Sequence, residues 1–126
     1  MLKDSIQEII KDIKEGKMVI ILDDESRENE GDLVCAADLI TPEIVNFMAS
    51  KGKGLICMPM SDALISKYDL QMMTNNNRAA NKTAFTVSIE AAEGITTGIS
   101  AADRSHTIKT AVSKKSKSSD IVQPGH

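Results

Sequence analysis

Three short runs of consecutive apolar residues, Met18-Val19-Ile20-Ile21-Leu22, Leu33-Val34-Cys35-Ala36-Ala37 and Leu55-Ile56-Cys57-Met58, limit this fold more than any other feature. A strand that is apolar at every position, not at alternate ones, is expected to be covered on both faces. A polar decapeptide separates the first run from the second, and helical patterns flank the rest. Ile6, Ile9, Ile10 and Ile13 recur at helix spacing, Asp4 or Ser5 can cap the start, and Gly16 stands where a left-handed residue would end the helix. Thr41-Pro42-Glu43 begins a second helix running to about Ser50, because Thr accepts orphan N–H groups, Pro fits the first turn and Glu faces the positive dipole end. Ser61-Asp62 starts a short third helix. Ser100-Ala101-Ala102-Asp103 has the form of a capping box and opens a fourth, whose apolar face holds Ile108, Ala111 and Val112. Strands alternating with helices predict an α/β fold, a three-layer α/β/α sandwich around a mixed β-sheet.

Length bounds the rest: 126 residues with 41% apolar content make one domain at most. Aromatics are only 2%, so the core is expected to be aliphatic, with Met48, Met58, Met60, Met72 and Met73 as filler. The net charge of −3 offers no basic field for a phosphate backbone, and the scarcity of aromatics leaves no base-stacking platform, so nucleic acid is not an expected partner. The longest apolar run is far short of the ~20 residues of a membrane span, and the N-terminus lacks a signal-peptide layout; a cytoplasmic protein with no membrane partner is expected. Cys35 and Cys57, with no C-x-x-C pair, read as buried free thiols. Phe85, Val87 and Ile89 alternate with Thr86 and Ser88, which predicts a half-covered strand with one face toward something polar. After a solvated loop at 114–119, residues 120–126 begin another apolar segment and turn without a capping element, so the domain is expected to be incomplete at its C-terminus.

The chemistry concentrates in Asp23-Asp24-Glu25-Ser26-Arg27-Glu28-Asn29-Glu30-Gly31-Asp32, where six carboxylates and one guanidinium give a net charge of −5 (1 − 6). Such density is either a solvated loop or a site where a hard cation offsets the repulsion. Three details favour the site. Arg27 carries a planar fork able to hold a phosphate or two carboxylates, Gly31 allows a sharp turn, and the loop leaves a strand end, where α/β folds place ligands. Oxygen ligands of this kind suit magnesium better than zinc.

This decapeptide, together with Gly54-Leu55-Ile56-Cys57, Thr83-Ala84-Phe85-Thr86-Val87-Ser88, Thr96-Thr97-Gly98-Ile99-Ser100-Ala101-Ala102-Asp103-Arg104 and Pro124-Gly125-His126, resembles 3,4-dihydroxy-2-butanone 4-phosphate synthase of riboflavin biosynthesis across essentially the whole chain. The resemblance implies a lyase that converts D-ribulose 5-phosphate to L-3,4-dihydroxy-2-butanone 4-phosphate and formate, with Mg2+ or Mn2+, as a homodimer. It places Glu28 on the metal ligand, Arg27, Glu28 and Asp32 on substrate-binding positions, His126 on an essential catalytic histidine, and Asp23 and Glu30 on acids lining the pocket. The family continues past Pro-Gly-His into an Arg-x-Gly-His-Thr segment with a second metal ligand, and then a catalytic glutamate. Residues 1–126 therefore resemble the N-terminal portion of one synthase domain, expected to be inactive or nearly so by itself.

Blander readings stand beside these. His106 reads as a surface histidine, Ser100 as a helix cap as readily as a substrate contact alongside Thr96 and Thr97, and the stretch from Asn75 to Asn81 as a flexible connection in preference to a lid over the site. A noncatalytic metabolite- or partner-binding domain of the same fold, or an unrelated magnesium-dependent phosphatase or sugar-phosphate isomerase, are the competing functions.

Overall fold

The structure, a computed structural model, describes residues 4–126. Helix α1, Ile6–Lys14, starts at a reciprocal cap. Ser5 Oγ accepts the Glu8 N–H at 3.3 Å, and the Glu8 carboxylate accepts the Ser5 N–H at 2.9 Å. Gly16, at φ +79°, then turns the chain into strand β1, Val19–Leu22. Strand β2, Gly31–Val34, returns antiparallel with Ile21 opposite Asp32 and Leu22 opposite Gly31. The acidic decapeptide is thus mostly the tip of a β-hairpin, and its last two residues already belong to β2.

Helix α2, Pro42–Phe47, begins at Thr41, whose hydroxyl accepts the Ile44 N–H, and runs into a wider π turn at Met48–Gly52. Helix α3, Asp62–Lys67, is capped by Ser61. Strand β3, Glu90–Ala91, pairs antiparallel with β4, Ile121–Val122, and helix α4, Ala101–Val112, lies between them in sequence. Val45 of α2 is fully buried in the packing of α2 and α4. A second cluster joins Tyr68, Leu70, Ala111 and Ile121, with Met58, Met60, Leu64, Ile65 and Ile89 packed around it. The Tyr68 hydroxyl donates to the Ala111 carbonyl at 2.8 Å, so the one polar atom on this apolar anchor is satisfied.

Several expectations are corrected. Mixed helices and strands agree with the expected α/β class, and the described residues pair their strands in two antiparallel two-stranded sheets. Residues 55–58 join no ladder, and the alternating segment 85–89 contributes only a bridge between Thr86 and Met72. The physical reason lies in the missing neighbours: an all-apolar strand needs partners on both edges and covers on both faces, and these residues supply few. Ile20 is 62% exposed and Leu55 76%. Met72 and Met73 are likewise exposed, whereas Met58 and Met60 do fill the core. Cys35 is half-buried and Cys57 exposed, both as free thiols. Among the described residues no helix is long and apolar enough to cross a membrane.

Candidate functional site

Two polar centres stand out. The first is the hairpin tip, residues 23–30, closed where the Asp23 N–H donates to the Glu30 carbonyl at 2.9 Å. Asp24 starts an inner turn: its carbonyl accepts the Arg27 and Asn29 N–H groups, its carboxylate accepts from Ser26, and Asn29 takes the left-handed conformation at φ 53° that asparagine tolerates. Local side-chain bonds, not burial, hold this tip.

Asp23 organises it. Its carboxylate accepts the Asp24 N–H at 2.8 Å, the Glu28 N–H at 3.0 Å and Arg27 Nε at 3.0 Å. The Arg27 guanidinium, followed by these backbone donors, holds the Asp23 carboxyl below the usual carboxylate range, and Asp23 in turn raises Arg27. Arg27 Nη2 reaches Glu28 Oε2 at 3.2 Å, while Asn81 Nδ2 donates to Glu28 Oε1. Glu28 is therefore clamped from two sides, by its neighbour on the tip and by a side chain 53 positions away, yet stays partly open to solvent. Asp32 lies within the field of Arg27 and of Cys57, whose thiol is pushed up by packing around it and by that negative charge. Asp23 and Glu30, with Asp24, Glu25, Ser26 and Asn29, line a hollow of about 710 Å³ that does not include Glu28.

The second centre holds His126. Its Nδ1 lies 2.8 Å from Glu90 Oε2, and the described residues show no hydrogen bond between it and the hairpin tip. The structure thus brings Asp23, Arg27 and Glu28 together, sets Asp32 beside them and Glu30 at the closing carbonyl, and leaves His126 with a different carboxylate. Under the histidine sits the loop before α4. Ser100 Oγ accepts the Asp103 N–H at 2.9 Å, but the Asp103 carboxylate does not close a capping box; it accepts Thr96 N–H, Thr96 Oγ1–H and Gly98 N–H at 3.1, 2.7 and 3.0 Å. Those donors, the Thr96 hydroxyl foremost, hold the Asp103 carboxyl below its ordinary range. His106 is exposed, on the Glu93 carbonyl.

Comparison with known proteins decides the family, because the model of 3,4-dihydroxy-2-butanone 4-phosphate synthase matches residues 7–126. The chain belongs to the 3,4-dihydroxy-2-butanone 4-phosphate synthase family. A Neisseria meningitidis serogroup B protein of that name is 62% identical over 121 residues, which are 96% of this chain and 33% of the relative. Among solved structures, a two-domain synthase from A. baumannii, RibBX, matches with TM-score 0.90 at 49% identity over 98% of this chain and 36% of the other. A synthase crystallised with two magnesium ions matches with TM-score 0.94 at 39% identity, over 98% of this chain and 58% of that one. The chain thus spans about a third of the length of the curated relatives it matches.

Sequence reasoning missed two side chains that contact the candidate site residues, Asn81 on Glu28 and Glu90 on His126. Asn81 sits in a segment without apolar period, where nothing distinguishes a clamp from a connection. Glu90 continues the polar phase of the 85–89 alternation, on the side of Thr86 and Ser88, so its position was readable even though its partner was not.

Proposed function

We propose that this chain is the N-terminal portion of a lyase that converts D-ribulose 5-phosphate to L-3,4-dihydroxy-2-butanone 4-phosphate and formate, using magnesium or manganese. The observation that carries this reading is Glu28, an exposed carboxylate oriented on both oxygens by Arg27 and Asn81. Magnesium commonly takes one or two protein carboxylates and fills its octahedron with water and substrate. One oriented glutamate fits such a site. Among the described residues no group of three or more His, Cys, Asp or Glu converges, so the remaining ligands fall to water, substrate and further protein.

Glu28 would hold a divalent ion, which when bound would supply positive charge for an oxyanion beside a ketone. The chain's own residues do the rest. Arg27 spends Nε and Nη2 on carboxylates, which fixes its plane and leaves Nη1 to donate to a sugar phosphate. Asp32, on strand β2 opposite Ile21, accepts hydrogen bonds from substrate hydroxyls, and Asp23 and Glu30 shape the neighbouring hollow. His126 provides an imidazole for the successive proton transfers. The exposed Ile20 and Leu55 support the expectation that further protein covers them, completing a three-layer α/β/α sandwich with a mixed sheet and a homodimer. By itself, the 126-residue portion is proposed to be inactive. Its small phosphorylated substrate and biosynthetic family support a cytoplasmic location, without nucleic-acid or membrane partners.

The test is formate release from ribulose 5-phosphate by the protein that carries this chain. A phosphatase would release phosphate, an isomerase another pentose phosphate, and a binding module nothing. Glu28→Gln is expected to lower turnover by at least about a hundred-fold and to weaken magnesium binding measured by calorimetry, with unchanged circular dichroism. Near-normal rates for that variant at limiting magnesium would remove Glu28 from the metal role.

A further inference from the structure

The segment entering β3 and the segment after β4 are locked together more tightly than two short strands require. Ser88 Oγ donates to the Gly125 carbonyl at 2.6 Å and accepts the Gly125 N–H at 3.2 Å, so one hydroxyl satisfies both polar groups of that residue. Gly125 lies so close to the Ile89 carbonyl and the Glu90 nitrogen that a Cβ there would overlap them. The next residue, His126, is delivered onto Glu90, with 2.8 Å between Nδ1 and Oε2. Behind the pair stands Gly98, at φ +91°; a Cβ there would overlap Glu90 Oε2 and lie 2.7 Å from His126 Nδ1. Gly98 is fixed in turn by its N–H on Asp103, a carboxylate only 5% exposed.

From this cradle we infer that Glu90 is a positioning residue that sets the tautomer and orientation of His126, an assignment resting on the proposed catalytic role of that histidine. An ionised carboxylate only accepts, so the nitrogen facing it must carry the hydrogen. Neutral His126 is thereby held with hydrogen on Nδ1 and a lone pair on Nε2, which makes no hydrogen bond among the described residues. A stabilising role does not explain the arrangement: the side chains are 44% and 22% exposed, and ion pairs so open to water contribute little to folding. Orientation does explain it. In a Ser-His-Asp triad, replacing the carboxylate that orients the imidazole lowers kcat about 10⁴-fold through the wrong tautomer. A half-exposed pair with one hydrogen bond is expected to show a smaller effect.

The test uses the protein that carries this chain, labelled with 15N-histidine, as Glu90→Gln, Glu90→Asp and His126→Ala. Glu90→Gln is expected to lower kcat on the order of ten- to a hundred-fold with KM within about two-fold. Its His126 ring-nitrogen shifts, assigned by their loss in His126→Ala, should move from the Nδ1–H pattern toward a tautomer mixture. Glu90→Asp keeps an acceptor-only group and should recover part of kcat and the Nδ1–H pattern; it carries the same two readouts if the Gln variant does not fold. Wild-type kcat or unchanged ring-nitrogen shifts in Glu90→Gln, with His126→Ala inactive, would overturn the positioning role alone. Wild-type turnover in His126→Ala would instead overturn the catalytic reading beneath it.

Discussion

Replacing Gly98 by alanine puts one carbon where the structure has no room for it. The backbone there, at φ +91°, lies in a region that L side chains rarely adopt, which costs about 1–2 kcal/mol. The added Cβ also stands 2.7 Å from His126 Nδ1, while ordinary van der Waals contact begins at 3.4 Å, so the ring must retreat by 0.7 Å (3.4 − 2.7) and the Glu90 carboxylate by more. Misplacement of a reacting group by about 1 Å is worth on the order of a hundred-fold in rate. Gly98→Ala is therefore expected to lower kcat roughly ten- to a hundred-fold and the unfolding free energy by about 1–2 kcal/mol. Gly16→Ala is the control: its φ is +79°, and the nearest atoms to its Cβ would be Leu39 carbons at an ordinary 3.4 Å, not those of Glu90 or His126. It carries a similar backbone penalty without disturbing the site. The assays are formate release and urea unfolding of both variants beside the parent protein. If the two variants turn over at the same rate, the close approach of Gly98 to the Glu90–His126 pair has no catalytic meaning.

Further outcomes follow from the same geometry. Asn81→Ala frees one oxygen of Glu28 and should weaken magnesium affinity about ten-fold by calorimetry while leaving the urea midpoint unchanged, since the contact is on the surface. Asp103 has a folded pKa below its unfolded value, so its stabilising contribution is present above the ordinary carboxylate range near ~3.9 and is lost as pH falls through the lower folded value. The urea midpoint of Asp103→Asn should fall below the parent's at pH 7 and lose part of the parent's decline below about pH 4. The Cys57 thiol, raised by packing and by Asp32, should react with iodoacetamide more slowly than a free thiol at pH 7.5, and faster in Asp32→Asn.

What the sequence made legible was the local part of this molecule. Ser5, Thr41, Ser61 and Ser100 each cap the helix expected to follow them, because capping is decided within four residues. The clustering of the acidic decapeptide was legible for the same reason, since Asp23 gathers Arg27 and Glu28 by bonds within the tip. Strand pairing was not, because it depends on neighbours far along the chain. The 55–58 run has the composition of a central strand and no partner among the described residues. Cys57 was expected inside for its apolar flanks, yet lies exposed. Asn81 on Glu28 and Glu90 on His126 join residues 53 and 36 apart, beyond the reach of any pattern read in a window.

That separation along the chain has a consequence for biosynthesis. The hairpin tip needs nothing beyond residue 34 to close, so it can take shape while the ribosome is still translating the middle of the message. The histidine couple has to wait until residue 126 emerges and is folded back onto residue 90. A nascent polypeptide would thus display its carboxylate-rich knuckle well before the imidazole of His126 reached Glu90.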